Sequence, residues 1–252
     1  MPLGLLLKLL AVPELTTSSH YALEVLRKRH LFKEDQIDRA LRLKNHARFQ
    51  RWRTAIGSDA LLVDGNCNDQ TFDGVSPLSI LGAGIAQELP PAAPGWQILV
   101  LNFFCGFHSS LETGFAGPAA IIRCLIAQLI KHLHQLRSMT DIDLSPIPRD
   151  EELFTDLRKR NIVALCNTFA GLIQRVPSHL SVYVVIDDVA RYETRQRNWS
   201  REMVEVAERL QDVAVMCQHS GLSFKLLMTS TGRSCHVSRA MLPHNKISLY
   251  SM

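Results

Sequence analysis

The 252-residue chain has no Cys-x-x-Cys pair and no paired Cys/His spacing, which argues against a zinc module. Its six cysteines (Cys67, Cys105, Cys124, Cys166, Cys217 and Cys235) stand singly, as reduced core residues of an intracellular, cytoplasmic protein would. No apolar run approaches the roughly 20 residues a membrane-spanning helix needs. The longest, Leu3 to Val12, carries Lys8 in its middle, and no basic start or small-residue cleavage site makes it a secretory signal. No Gly-x-Ser-x-Gly elbow occurs, against a serine hydrolase of that type, and no Gly-x-Gly-x-x-Gly follows the first apolar run, against a dinucleotide dehydrogenase. Charged residues make up 21% against 46% hydrophobic, too apolar a balance for a mostly disordered chain and enough to bury a sizeable core.

Charge is unevenly placed. Between Arg27 and Arg53 ten basic residues face three acids (Glu34, Asp35 and Asp38), so this segment holds +7 of a net +4 and the remainder is −3. Clustered Lys and Arg can neutralise the phosphates of nucleic acid or of an acidic lipid surface. Ile37, Leu41 and Trp52, with Phe49 nearby, fall near helical spacing, so the expected arrangement is a helix that packs one side while its arginines stay solvated. Only Phe32, Phe49 and Trp52 in this stretch could stack on bases. Residues 1–55 are expected to form a basic helical segment ahead of an α/β domain at 56–252.

From residue 60 onward short apolar runs appear at Ala60–Val63, Ile98–Phe104, Val182–Ile186 and Phe224–Met228, with a weaker one at Ile247–Tyr250. Runs unbroken by polar alternation fit strands covered on both faces. Helical periodicity separates them. Ser76-Pro77 is a start signal, an N-cap followed by proline at the first helical position. Further helices are expected from Pro118, from Glu151 to Val176 and from Arg201 to His219, where Gly221 suits a helix end. The alternation predicts a three-layer α/β sandwich around a mainly parallel five-stranded sheet.

Parallel strands share one C-terminal edge, which would gather Asp64-Gly65, Cys105-Gly106, Asp187-Asp188 and Thr229-Ser230. Ligands of open α/β sheets bind in the crevice beyond that edge. The run Val182 to Asp188 is the strongest element, because a buried strand that delivers a carboxylate to its tip can hold Mg²⁺ near phosphates. Asp187 is thus the candidate magnesium ligand and Asp188 the candidate catalytic group that polarises water. A strand-ending or helix-capping aspartate pair is the alternative. Cys105 and His108 are close in sequence, yet nothing supplies an oxyanion hole or a third member, so a buried cysteine is expected.

In element order the chain resembles the P-loop NTPase core of the NACHT/STAND class, particularly its divergent fungal members. Ala60 to Asn66 is similar to the first strand and the entrance to the Walker A loop, and Gln97 to Gly106 to the second strand. Val182 to Asp188 resembles Walker B, Phe224 to Ser230 the sensor strand, and Ile247–Tyr250 the last core strand. The resemblance spans about residues 48–250 and implies ATP and Mg²⁺ at Gly65, Asn66, Thr71, Ser76, Thr229 and Arg233, the last as a sensor arginine. Counted from Gly65, however, Gln70 stands at the second glycine position of the loop, Thr71 at the lysine and Phe72 at the hydroxyl. Loss of one charge-assisted contact costs roughly 1.5–3 kcal/mol, and Asp69 adds a negative charge beside a polyanion. Nucleotide is therefore expected to bind weakly or not at all.

Three functions follow: an interaction or regulatory protein on a nucleotide-binding fold, its partner a protein; an Mg-dependent ATPase with an atypical loop; or an accessory protein whose residues 27–53 bind nucleic acid or acidic lipid.

Overall fold

The computed structural model describes residues 3–12, 18–66, 71–88, 97–110, 114–136, 150–194 and 198–249. The apolar runs form five strands among these residues: β1 (Asp59–Asp64), β2 (Gln97–Phe104), β3 (Leu180–Asp187), β4 (Ser223–Ser230) and β5 (Lys246–Ser248). They make one sheet in the order β2-β3-β4-β1-β5, and every pairing is parallel. Tyr250, the expected end of the last strand, lies outside the described residues.

Helices cover both faces. In chain order they are α1 (Leu3–Leu10), α2 (Ser18–Arg27), α3 (Glu34–Leu41), α4 (Ala47–Thr54), α5 (Pro77–Glu88), α6 (Pro118–Leu136), α7 (Glu151–Arg158), α8 (Ile162–Ile173), α9 (Trp199–Ser220) and the short α10 (Val237–Ala240). Among the described residues no helix is long and apolar enough to cross a membrane. The expected single helix over 151–176 is two. The chain breaks where Arg160 takes φ 60°, and the side chain of Asn161 then accepts from Ala164 N–H to start α8.

Side chains alternate across the strands. Ala60, Leu62, Val182, Val184, Ile186, Phe224, Leu226 and Met228 face α6, α8 and α9. Leu61, Val63, Tyr183, Val185 and Leu227 face α5 and α4. The basic segment joins this core. Phe49 and Trp52 of α4 are fully buried, stack at 5.5 Å, and the indole N–H of Trp52 donates to Leu226 O at 3.0 Å. Phe32 is buried too. The three aromatics that could have stacked on bases are therefore packing residues, while Arg27, Arg29, Lys33, Arg42 and Arg51 remain exposed. Lys28 and Lys44 pair with Asp73 and Glu88, and Arg48 is held by the most partners. It forks onto both carboxylate oxygens of Asp59 at 2.8 and 2.7 Å and also donates to Ala60 O, His244 O and Asn245 Oδ1.

On the far face, Leu6 and Leu10 of α1 sit in the same apolar cluster as α6. The buried guanidinium of Arg123 donates to Leu10 O and Ala11 O, carbonyls at the C-terminus of α1 where a cation is favoured.

Candidate functional site at the sheet edge

β1 leads into α5 on one face, whereas β3 leads into α9 on the other. β4, the neighbour of β1, leads into α10 on the α9 face, so the chain leaves these adjacent strands toward opposite faces at their C-terminal ends, the place where open α/β sheets bind ligands. Gly65, Asn66, Asp187, Asp188 and Thr229 all sit at this edge.

Asp187 is its centre. The carboxylate is 1% exposed, and each oxygen accepts one hydroxyl at 2.6 Å: Oδ2 from Ser79 Oγ and Oδ1 from Thr229 Oγ1. Ser79 belongs to the first turn of α5. Its N–H donates to Ser76 Oγ at 3.1 Å while Ser76 N–H donates to Ser79 Oγ at 3.0 Å, a reciprocal capping box. Ser79 must spend its proton on Asp187, so the 3.0 Å Ser76–Ser79 hydroxyl contact has Ser76 as donor. Burial, and then the neighbouring charge of Asp188, push the Asp187 carboxyl up, against the pull of the two hydroxyls.

Asp188 sits in the left-handed region at φ 57°. Its Oδ2 accepts from Arg191 Nε at 3.0 Å and its Oδ1 from Thr231 N–H at 3.2 Å, while its own N–H donates to Thr229 Oγ1. Asp64, at the tip of β1, accepts from Ser234 N–H at 3.0 Å, and burial pushes its carboxyl up to about 6. Glu193 is clasped by four donors: Ser234 Oγ, Cys235 N–H, His236 N–H and Val237 N–H, at 2.6 to 3.1 Å. Burial pushes Glu193 up, but these donors outweigh it and hold the carboxyl below its ordinary value. One segment, residues 231–237, thus supplies donors to carboxylates that leave two different strands.

The described ends of the β1–α5 loop meet this edge at two places. Gly65 N–H donates to Ser230 O at 2.8 Å, and a Cβ at Gly65 would stand 2.5 Å from Thr231 O. Asn66 N–H donates to Gly232 O, and its side chain reaches Ser248 Oγ at 2.8 Å. Residues 67–70, which include Cys67, lie outside the described residues. Farther on, Phe72 and Val75 exchange hydrogen bonds of 2.9 Å around Asp73 and Gly74, both at positive φ. Gly74 touches Gly106 backbone to backbone, so closely that a Cβ on Gly106 would lie 1.8 Å from Gly74 O. The loop is fastened at the β4 exit and again at the β2 exit. Thr71 and Arg233 are exposed on the surface, outside the hydrogen-bonded cluster.

The hydroxyl that meets the strand-tip aspartate is Ser79, not the residue at position 72. The residue before it, where the resemblance would want lysine, is Leu78, buried against β1 and β3. No Lys or Arg occurs anywhere from Thr54 to Ile122, so neither this loop nor β2 brings a cation to the edge. Among the described residues no group of three or more His, Cys, Asp and Glu side chains is placed to hold a metal ion. Cys105 is fully buried, and burial with the charges of Asp188 and Asp187 pushes its thiol far up. His108 stacks on Phe103 at 4.6 Å, and burial pushes its imidazole down to about 4. Burial thus favours the neutral form of both groups.

No protein-family model matches this chain, nor does any curated protein or solved structure.

Proposed function

We propose that the chain is a non-hydrolysing interaction or regulatory protein on a nucleotide-binding type of fold, of the STAND-like kind that its element order resembles. One observation carries the reading: the strand-tip carboxylates are engaged by internal donors. Asp187 binds two hydroxyls, Asp188 binds Arg191 and Thr231, and Asp64 and Glu193 bind the segment at 231–237. Phosphoryl transfer depends on positioned cations and charge stabilisation, and a triphosphate laid along this edge would meet carboxylates without a loop lysine. A parallel sheet whose edge is sealed in this way is a rigid frame for protein contacts.

The Ser79–Asp187 contact favours a second reading, an Mg-dependent ATPase, since a hydroxyl and a carboxylate at that spacing could share a hydrated Mg²⁺. Titration of the full chain with a fluorescent ATP analogue and Mg²⁺ separates the two. The interaction reading expects no binding at millimolar nucleotide. Micromolar, Mg-dependent binding that Asp187→Ala abolishes would overturn it.

A further inference from the structure

Among the described residues β2 has one strand partner, β3, so a row of its N–H and C=O groups points away from the sheet. Edge strands are commonly blunted by lysine, proline or short length. β2 has none of these: it runs for eight residues, Gln97–Phe104, without a charged residue, proline or glycine. A strand of that composition is prone to pair with its own copy. Two such edges related by a twofold axis run antiparallel and present the same groups to each other.

One row of α6 closes this edge. Gln128 is 4% exposed and stands in for a single residue of a missing strand: its Oε1 accepts from Asn102 N–H at 2.9 Å and its Nε2 donates to Asn102 O at 2.8 Å. The second hydrogen of that amide goes to Cys124 Sγ, one turn back, at 3.0 Å, which fixes the side chain in one orientation. One turn on, the imidazole of His132 is hydrogen-bonded to the backbone of Val100, two residues before Asn102. Four residues of helix rise about 6 Å and two residues of strand about 6.6 Å, so the two periods match over this stretch.

We propose that Gln128 and His132 are a plug that keeps the β2 edge from pairing with the β2 edge of a second copy of this chain. Without it the outward N–H and C=O groups of Val100 and Asn102 lose their partners beside an uncharged, apolar strand. The same edge of another molecule can satisfy them with the hydrogen bonds of an ordinary ladder. The inference uses neither the strand-tip carboxylates nor the function proposed above, so it stands or falls separately.

Sedimentation velocity on the full chain at about 1 to 100 µM tests it. Gln128→Ala combined with His132→Ala should give a concentration-dependent species of at least twice the wild-type mass. Adding Ile98→Lys, which sets a charge on the same edge, should return the mass to the wild-type value. A double variant that sediments as the wild type does would overturn the proposal. So would association that Ile98→Lys leaves intact, because another surface would then be joining the copies. Should the double variant lose its cooperative fold, His132→Ala alone, at a partly buried position, decides by the same two criteria.

Discussion

Ser79 Oγ donates to Asp187 Oδ2 at 2.6 Å and so ties the first turn of α5 to the tip of β3. With Thr229 on the other oxygen, the carboxylate joins a helix and two strands at one buried point. Asp187→Ala strands two buried hydroxyls, each worth roughly 1–3 kcal/mol when left unpaired. A loss of about 3 kcal/mol in urea unfolding is expected, and Ser79→Ala should lose less, since Thr229 still binds the carboxylate. Full stability in Asp187→Ala would show that the junction is incidental.

Asp64 carries a pH signature. Its folded carboxyl sits at about 6 against an ordinary 3.8, so the fold binds its proton more tightly than the unfolded chain does. The contribution to stability is complete below pH 3.8 and is lost as the pH rises through 6. The difference corresponds to about 3 kcal/mol. Asp64→Asn stays neutral and can still accept from Ser234 N–H. Its stability relative to the wild type should therefore climb by about that amount between about pH 3 and about pH 8. Two parallel stability curves would refute the assignment.

Cysteine reactivity separates the surface from the core. Cys105, Cys124, Cys166 and Cys217 are buried and Cys235 is exposed. Alkylation with iodoacetamide followed by peptide mapping should modify Cys235 in the native protein and spare the other four until it unfolds. Native-state labelling of Cys105 at the rate of Cys235 would contradict the arrangement around Asp187 and Asp188.

The sheet was legible because its strands are buried on both faces and so read as unbroken apolar runs, from Ala60–Val63 to Phe224–Met228. The packed side of the basic segment was legible within α3 (Ile37, Leu41) and within α4 (Phe49, Trp52), but the break between them at residues 42–46 was not. The helix break at Arg160 was less visible, since Leu157 and Leu165 continue the apolar period across it and only the capping role of Asn161 divides them. Ser79 escaped because counting a fixed distance from Gly65 leads to Phe72, whereas α5 begins only at Pro77. Ser76 and Ser79 were the available signal, three residues apart astride Pro77 at a helix start. Glu193 offered no local signal. Its partners are backbone amides more than 40 residues away, and amide direction is not written in side-chain identity.

The 231–237 segment also shapes how this part of the molecule opens. Its donors hold Asp188, Asp64 and Glu193 at once, so it cannot peel away from one strand exit while staying attached to the others. Breathing motions there must be concerted, with the whole rim exchanging as a single foldon instead of fraying one strand at a time.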